Sequence, residues 1–201
     1  MIKLDVNPKD NKLFQRLLSE LGDELKPALV DAAKRAAAGA RTDGKRLIAM
    51  QYKLKSSEIA EGITVQHASG QGDEIDAAAI FRGARLGLYK FAPKPSRVMG
   101  GKTEGGVSVS IGGENVNFRH AFIANVRGQK NVFQRQKRGA GTDSRKLRKM
   151  TTLALPQMAA DKMHDEAISE AIQEGMQERF EKRFMQQVDR LLKGFAKKSD
   201  G

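Results

Sequence analysis

Leu13, Phe14, Leu17, Leu18, Leu21 and Leu25 recur at helical spacing behind Asp10, a residue suited to cap a helix N-terminus, so a helix is predicted to open there. Pro27 should kink or interrupt it. From Ala28 to Met50 the pattern stays helical but turns to alanine (Ala32, Ala33, Ala36, Ala37, Ala38, Ala40), with Leu47 and Ile48 near its end. Side chains this small let another helix or subunit come close. A second short helix is expected from Ser56 or Ser57 through Glu58 to Ala60, with a serine as cap and Glu58 complementing the helix dipole.

The middle third changes period. Ile63-Thr64-Val65, Ala77 to Phe81, Leu86 to Phe91, Val107 to Ile111 and Phe122 to Val126 alternate or run apolar over four to six residues, which predicts strands and an antiparallel sheet. Ser69 to Asp73 and Gly112-Gly113-Glu114-Asn115 carry turn chemistry between them. Pro93 to Gly106, with Pro93, Pro95, Gly100, Gly101, Gly105 and Gly106, reads as a long loop. From Pro156, suited to a first helical turn, the chain turns helical again. Ile168, Ile172, Met176, Phe180, Phe184, Val188, Leu191 and Phe195 then draw one apolar stripe. Acids lead this segment (Asp161, Asp165, Glu166, Glu170, Glu174, Glu178, Glu181) and bases close it (Arg190, Lys193, Lys197, Lys198), matching the dipole at both ends. Three parts of one domain result: a helical part over 1–62, a β-rich part over 63–150 with loop 93–106, and a C-terminal helix over 151–201.

Charge singles out two short segments. The 201 residues carry 36 Lys plus Arg against 24 Asp plus Glu, a net +12. Residues 30–55 hold +5 and residues 127–149 hold +8, while the rest is near neutral. In the first lie Arg41, Lys45 and Arg46; in the second Arg127, Lys130, Arg135, Lys137, Arg138, Arg145, Lys146, Arg148 and Lys149, beside Asp143 alone. Contact with nucleic-acid phosphates is one reading of the second segment, and it would be salt-dependent and blind to base sequence. A solvated hairpin, or pairing with the acidic half of the last helix in a neighbouring subunit, accounts for it equally well.

Candidate chemistry is sparse. No cysteine is present, which removes disulfides, thiol nucleophiles and Cys-ligated metals. Gly101-Lys102-Thr103 ends like a phosphate loop, but Ser96 stands where its first glycine belongs; Gly70-Gln71-Gly72 lacks the third glycine of a dinucleotide fingerprint, Ile75 taking its place. Gly106-Val107-Ser108-Val109 is followed by Ser110 and makes no nucleophile elbow. His67, His120 and His164 fall in different elements without zinc spacing, and Asp73, Glu74 and Asp76 read as a polar strand lead-in rather than a Mg²⁺ site. The triplets Asp10-Asn11-Lys12, Glu24-Leu25-Lys26 and Asp43-Gly44-Lys45 invite a metal-dependent nuclease but sit in helical sequence. No catalytic residue, metal, cofactor or small-molecule substrate is therefore expected. Neither a secretory segment behind Met1-Ile2-Lys3-Leu4 nor a membrane-spanning run is read, so a soluble protein made in a cytoplasm is expected.

Ala121 to Val126, a glycine-containing turn, Val132-Phe133-Gln134-Arg135, Leu147-Arg148-Lys149-Met150 and Ala154-Leu155-Pro156-Gln157-Met158 resemble prophage minor tail protein Z and the related tail-completion, or neck, proteins of long-tailed phages. The N-terminal helix, Leu54 to Ile59, and Leu88-Tyr89-Lys90-Phe91 before Pro93 and Pro95 fit the same order, so the likeness spans roughly residues 10–195. Leu153-Ala154-Leu155-Pro156 departs from the more varied loop of related chains. The resemblance implies an α+β fold, with N-terminal helices and a long C-terminal helix packed on a central antiparallel sheet. It also implies a virion tail component, not an enzyme, that is assembled in the host cytoplasm. Such a component acts by contact with other tail or neck proteins, as a homo-oligomeric ring for which a hexamer is the natural order. The 127–149 bases would then line a channel that DNA traverses or meet an acidic partner ring. A sequence-independent nucleic-acid-binding protein, using the 127–149 hairpin with Arg41, Lys45 and Arg46, is the alternative from another class.

Overall fold

In the computed structural model of the chain, residues 1–5, 16, 19, 22–71, 74–98, 105–135, 147–163 and 166–199 are described. Strand β1 (Ile2–Asp5) comes first. The Asp10 cap and most of the Leu13–Leu21 stripe lie outside the described residues; Arg16 and Ser19 within it are helical. A 3-10 turn at Gly22–Leu25 leads into α1 (Lys26–Tyr52), and Pro27 sits in the first turn of α1. The proline thus starts this helix instead of kinking it, because its missing N–H falls where a first-turn amide has no helical partner anyway. Helix α2 (Ser56–Ala60) follows with Lys55 in the cap position and no side-chain cap, so neither serine serves as expected.

The strands are antiparallel throughout and divide among several small sheets. Strands β2 (Ile63–Gln71) and β3 (Glu74–Phe81) join β1 in the order β1-β3-β2. Strands β4 (Val107–Ile111) and β5 (Glu114–Phe118) form a hairpin, and β6 (Ala121–Val126), β7 (Gln129–Arg135) and β8 (Leu147–Lys149) form a second three-stranded sheet. The strand expected at Leu86–Phe91 is reduced to one bridge, Gly87 with Thr151, after which Leu88–Phe91 winds into a 3-10 turn. Leu88 and Phe91 are both buried, and a 3-10 turn puts residues three apart on one side where a strand would part them. The start of the long loop is pinned to β4, with Lys94 and Ser108 exchanging backbone hydrogen bonds of 2.8 and 2.9 Å.

The C-terminal helix expected over 151–201 is interrupted. Helix α3 (Leu155–Ala159) ends after little more than a turn, the two-residue strands β9 (Lys162–Met163) and β10 (Glu166–Ala167) pair, and α4 (Ile168–Ser199) begins. Between Asp161 and Glu166 only Met163 could extend an apolar stripe, so nothing draws this polar run onto the core as helix. From Ile168 the stripe is covered: Ile168, Ile172, Met176, Phe180, Phe184 and Val188 are all buried.

What covers it is the alanine face of α1. Ala32, Ala33, Ala36, Ala37 and Ala40 have no exposed surface, and α4 packs antiparallel along that helix. The pairs that tie the helices show the direction: Asp31 meets Arg183 and Gln187, while Asp43 meets Arg179. On its other side α1 rests on the β1-β3-β2 sheet, where Gly44 leaves room for the Phe81 ring. A Cβ on Gly44 would stand 2.8 Å from that ring. One hydrophobic cluster runs from Leu4 through these helices to Val107, Ile123 and Val132 in the other sheets.

Candidate interaction surface

The hairpin that carries the hairpin bases begins from its turn. Val126 pairs with Gln129, leaving a two-residue loop of Arg127 (φ 53) and Gly128 (φ 78). Two successive positive φ values match the right-handed twist of the strands and favour Asn-Gly or Gly-Gly at this position. Arginine at the first of them is conformationally costly.

Alternation then divides the basic side chains. Lys130, Val132 and Gln134 share a face of β7 with Arg148, the partner of Gln134. Asn131, Phe133 and Arg135 share the opposite face with Lys149, which pairs with Phe133. The Lys130 ammonium lies 5.0 Å from the centroid of the Tyr89 ring, and the Arg135 guanidinium 5.7 Å from that of Phe122. Both are cation–π distances. Lys137, Arg138, Arg145 and Lys146 lie outside the described residues.

The α1 bases have another environment. Arg41 donates to the Ala60 carbonyl at the end of α2 (3.3 Å), and Arg46 approaches Asp43 at 3.8 Å. Arg35 donates to both Asp31 oxygens at 3.2 and 3.1 Å. Lys45 is half-buried beside them. Burial alone would raise the Asp31 pKa, but hydrogen bonds from Arg183, Arg35 and Gln187 outweigh it and hold the carboxyl below its ordinary value. Arg179 reaches Asp43 at 2.5 Å by running its stem across Gly39, where a Cβ would meet the Arg179 Cδ at 2.8 Å. These charges clamp the two long helices together.

One further group of bases is masked by acids nearby in the sequence. Residues 82–98 carry Arg82, Arg85, Lys90, Lys94 and Arg97 and no acid, but over 56–126 their charge is cancelled by acids at 58–76, 104 and 114. Backbone pairing sets this segment beside the hairpin. The Leu86 N–H donates to the Leu153 carbonyl (3.1 Å), Thr152 N–H to Leu86 (2.8 Å), Leu88 N–H to Met150 (3.1 Å), and Met150 N–H to Val132 (2.9 Å). The 147–153 segment is therefore flanked by β7 on one side and residues 86–88 on the other. Gly87 is needed there, since a Cβ would stand 2.4 Å from the amide nitrogen of buried Asn131. Lys90 lies 3.8 Å from Glu58, a loose ion pair.

Among the described residues no three His, Asp or Glu side chains lie close enough to hold a metal ion, and no helix is long and apolar enough to cross a membrane. His120 is exposed in the β5–β6 turn; His164 and Asp73 lie outside the described residues. No protein-family model, curated protein or solved structure matches the chain.

Proposed function

We propose that the chain is a structural minor tail protein of a bacteriophage or prophage, acting in tail completion or at the head–tail junction. It works through contacts with other tail or neck proteins and with copies of itself in a closed ring. One observation supports this reading. The separate stretches that resemble minor tail protein Z, residues 121–126, 132–135, 147–150 and 154–158, fold in the order that the resemblance implies: β6, β7 and β8 pair side by side, and α3 follows them ahead of the long helix α4. Closure requires that a patch on one subunit fit a different patch on the next.

Molar mass by light scattering, with negative-stain images of the same fractions, tests the ring. A single discrete oligomer with a central opening is expected, a hexamer first. A chain that stays monomeric at every concentration, or that forms open filaments, overturns the ring.

A further inference from the structure

We infer that residues 82–97 and the β7–β8 strands together form a basic surface, with Lys130 and Arg148 on one side of the strands and Arg135 and Lys149 on the other, that binds the phosphate backbone of duplex nucleic acid without reading its sequence. The inference rests on charge geometry and is independent of the tail-protein reading.

Three segments build the face: 82–98, 121–135 and 147–154. Together they hold ten Lys and Arg and no Asp or Glu. All ten are exposed. Hydrogen bonds through Leu86, Leu88, Met150 and Thr152 set the segments side by side, so charges separated by some sixty residues of sequence become neighbours. Among the described residues, Arg82, Arg85, Lys94, Arg97, Arg127, Arg148 and Lys149 make no ion pair, whereas Arg35, Arg46, Arg179 and Arg183 on the helices all do. Lys34, Lys182, Arg190 and Lys193 on the helices are likewise unpaired among the described residues, but α1 and α4 interleave their bases with acids such as Asp31, Asp43, Glu170, Glu174, Glu178, Glu181 and Asp189, whereas the three segments carry none.

Composition separates a nucleic acid from an acidic protein. Protein interfaces are depleted of lysine and rely on aromatic anchors at their centre. Here Lys90, Lys94, Lys130 and Lys149 are exposed, while Tyr89 and Phe122 lie beneath Lys130 and Arg135. Rings covered in this way offer no platform for unpaired bases, which favours contact with the backbone of a duplex over a single strand. Arg127 adds an independent sign. It occupies a left-handed turn position where asparagine or glycine would be more stable, and a costly conformation held at an exposed tip points to a use for its charge.

The test is fluorescence anisotropy of the full chain with a labelled, mixed-sequence DNA duplex of about 30 base pairs across a salt series. Roughly four to six phosphates neutralised would give a logarithmic salt slope of about −4 to −5. Arg85→Glu, Lys94→Glu and Arg97→Glu combined should weaken binding about a hundredfold at about 0.1 M salt; Lys34→Glu, Lys182→Glu and Lys193→Glu combined, the same charge change on the helices, should weaken it about threefold or less. Arg127→Asn should raise the melting temperature yet weaken binding, a pair of effects that misfolding cannot produce. No binding at about 0.05 M salt, or equal loss from both triple variants, overturns the inference. Displacement of the duplex by polyglutamate as effective as by unlabelled DNA also overturns it, and assigns the face to an acidic protein. Rings that do not bind DNA would refute this face and leave the tail-protein reading standing.

Discussion

At the end of α1, the Tyr52 ring is buried and its hydroxyl donates to Asp161 in the turn after α3. Burial is the larger cause, and the carboxylate the second, that push the phenol pKa above its ordinary 10.0. A raised folded value means that the stability it contributes is complete below pH 10 and falls as pH rises past that value toward the folded one. Tyr52→Phe leaves Asp161 exposed to water, so it should cost about 1 kcal/mol near neutral pH. The variant should also lose less melting temperature than the parent between about pH 9 and pH 11. Thermal melts across that range check both, and an unchanged alkaline slope would show that the phenol is not held neutral. Tyr52 lies two residues beyond the helical pattern that ends at Met50, and nothing in the sequence marks it. Its partner stands more than a hundred positions away, and no periodicity links the two.

The long elements owe their stability to one stripe each. Phe180 and Phe184 stack with ring centroids 6.2 Å apart and planes 9° from parallel, and neither has exposed surface. Phe180→Ala removes a ring from a packed interior and should destabilise the chain by about 3–5 kcal/mol. Met185→Ala, on the exposed side of the same helix, should change stability by less than about 0.5 kcal/mol. Chemical denaturation compares the two, and equal losses would mean that α1 does not cover α4. Both helices were legible in the sequence because a 3.6-residue period runs unbroken through Ala32–Ala40 and through Ile168–Val188. Their ends were less legible. Pro27 fits a first turn as well as a kink, and the break between α3 and α4 depends on where the core stops, which the polar run from Asp161 to Glu166 marks only once the sheets are in place. The Leu86–Phe91 segment shows the same limit: alternation predicts a strand, and the need to bury Leu88 and Phe91 together turns it into a 3-10 turn.

Across the whole molecule, charge is sorted by layer. The helical layer pairs four of its bases with its own acids, Asp31 with Arg35 and Arg183, Asp43 with Arg46 and Arg179. The strand side keeps ten bases and no acid on three segments. Along the chain only one of these segments, the 127–149 hairpin, stands out by charge, together with the α1 bases Arg41, Lys45 and Arg46. The fold sets it instead beside residues 82–97, because hydrogen bonds to residues 150–153 decide which strands are neighbours and leave no trace in composition. Helices that interleave acids with their bases, and strand segments that carry bases alone, suit a subunit that presents one side to protein partners and the other to a polyanion.

Removing the gene from a phage or prophage that encodes the chain, and imaging the particles made on induction, tests the structural role most directly. DNA-filled heads without completed, joined tails are expected, with a loss of infectivity that the intact gene restores in trans. Infectious virions with normal tails, produced without the protein, would contradict it.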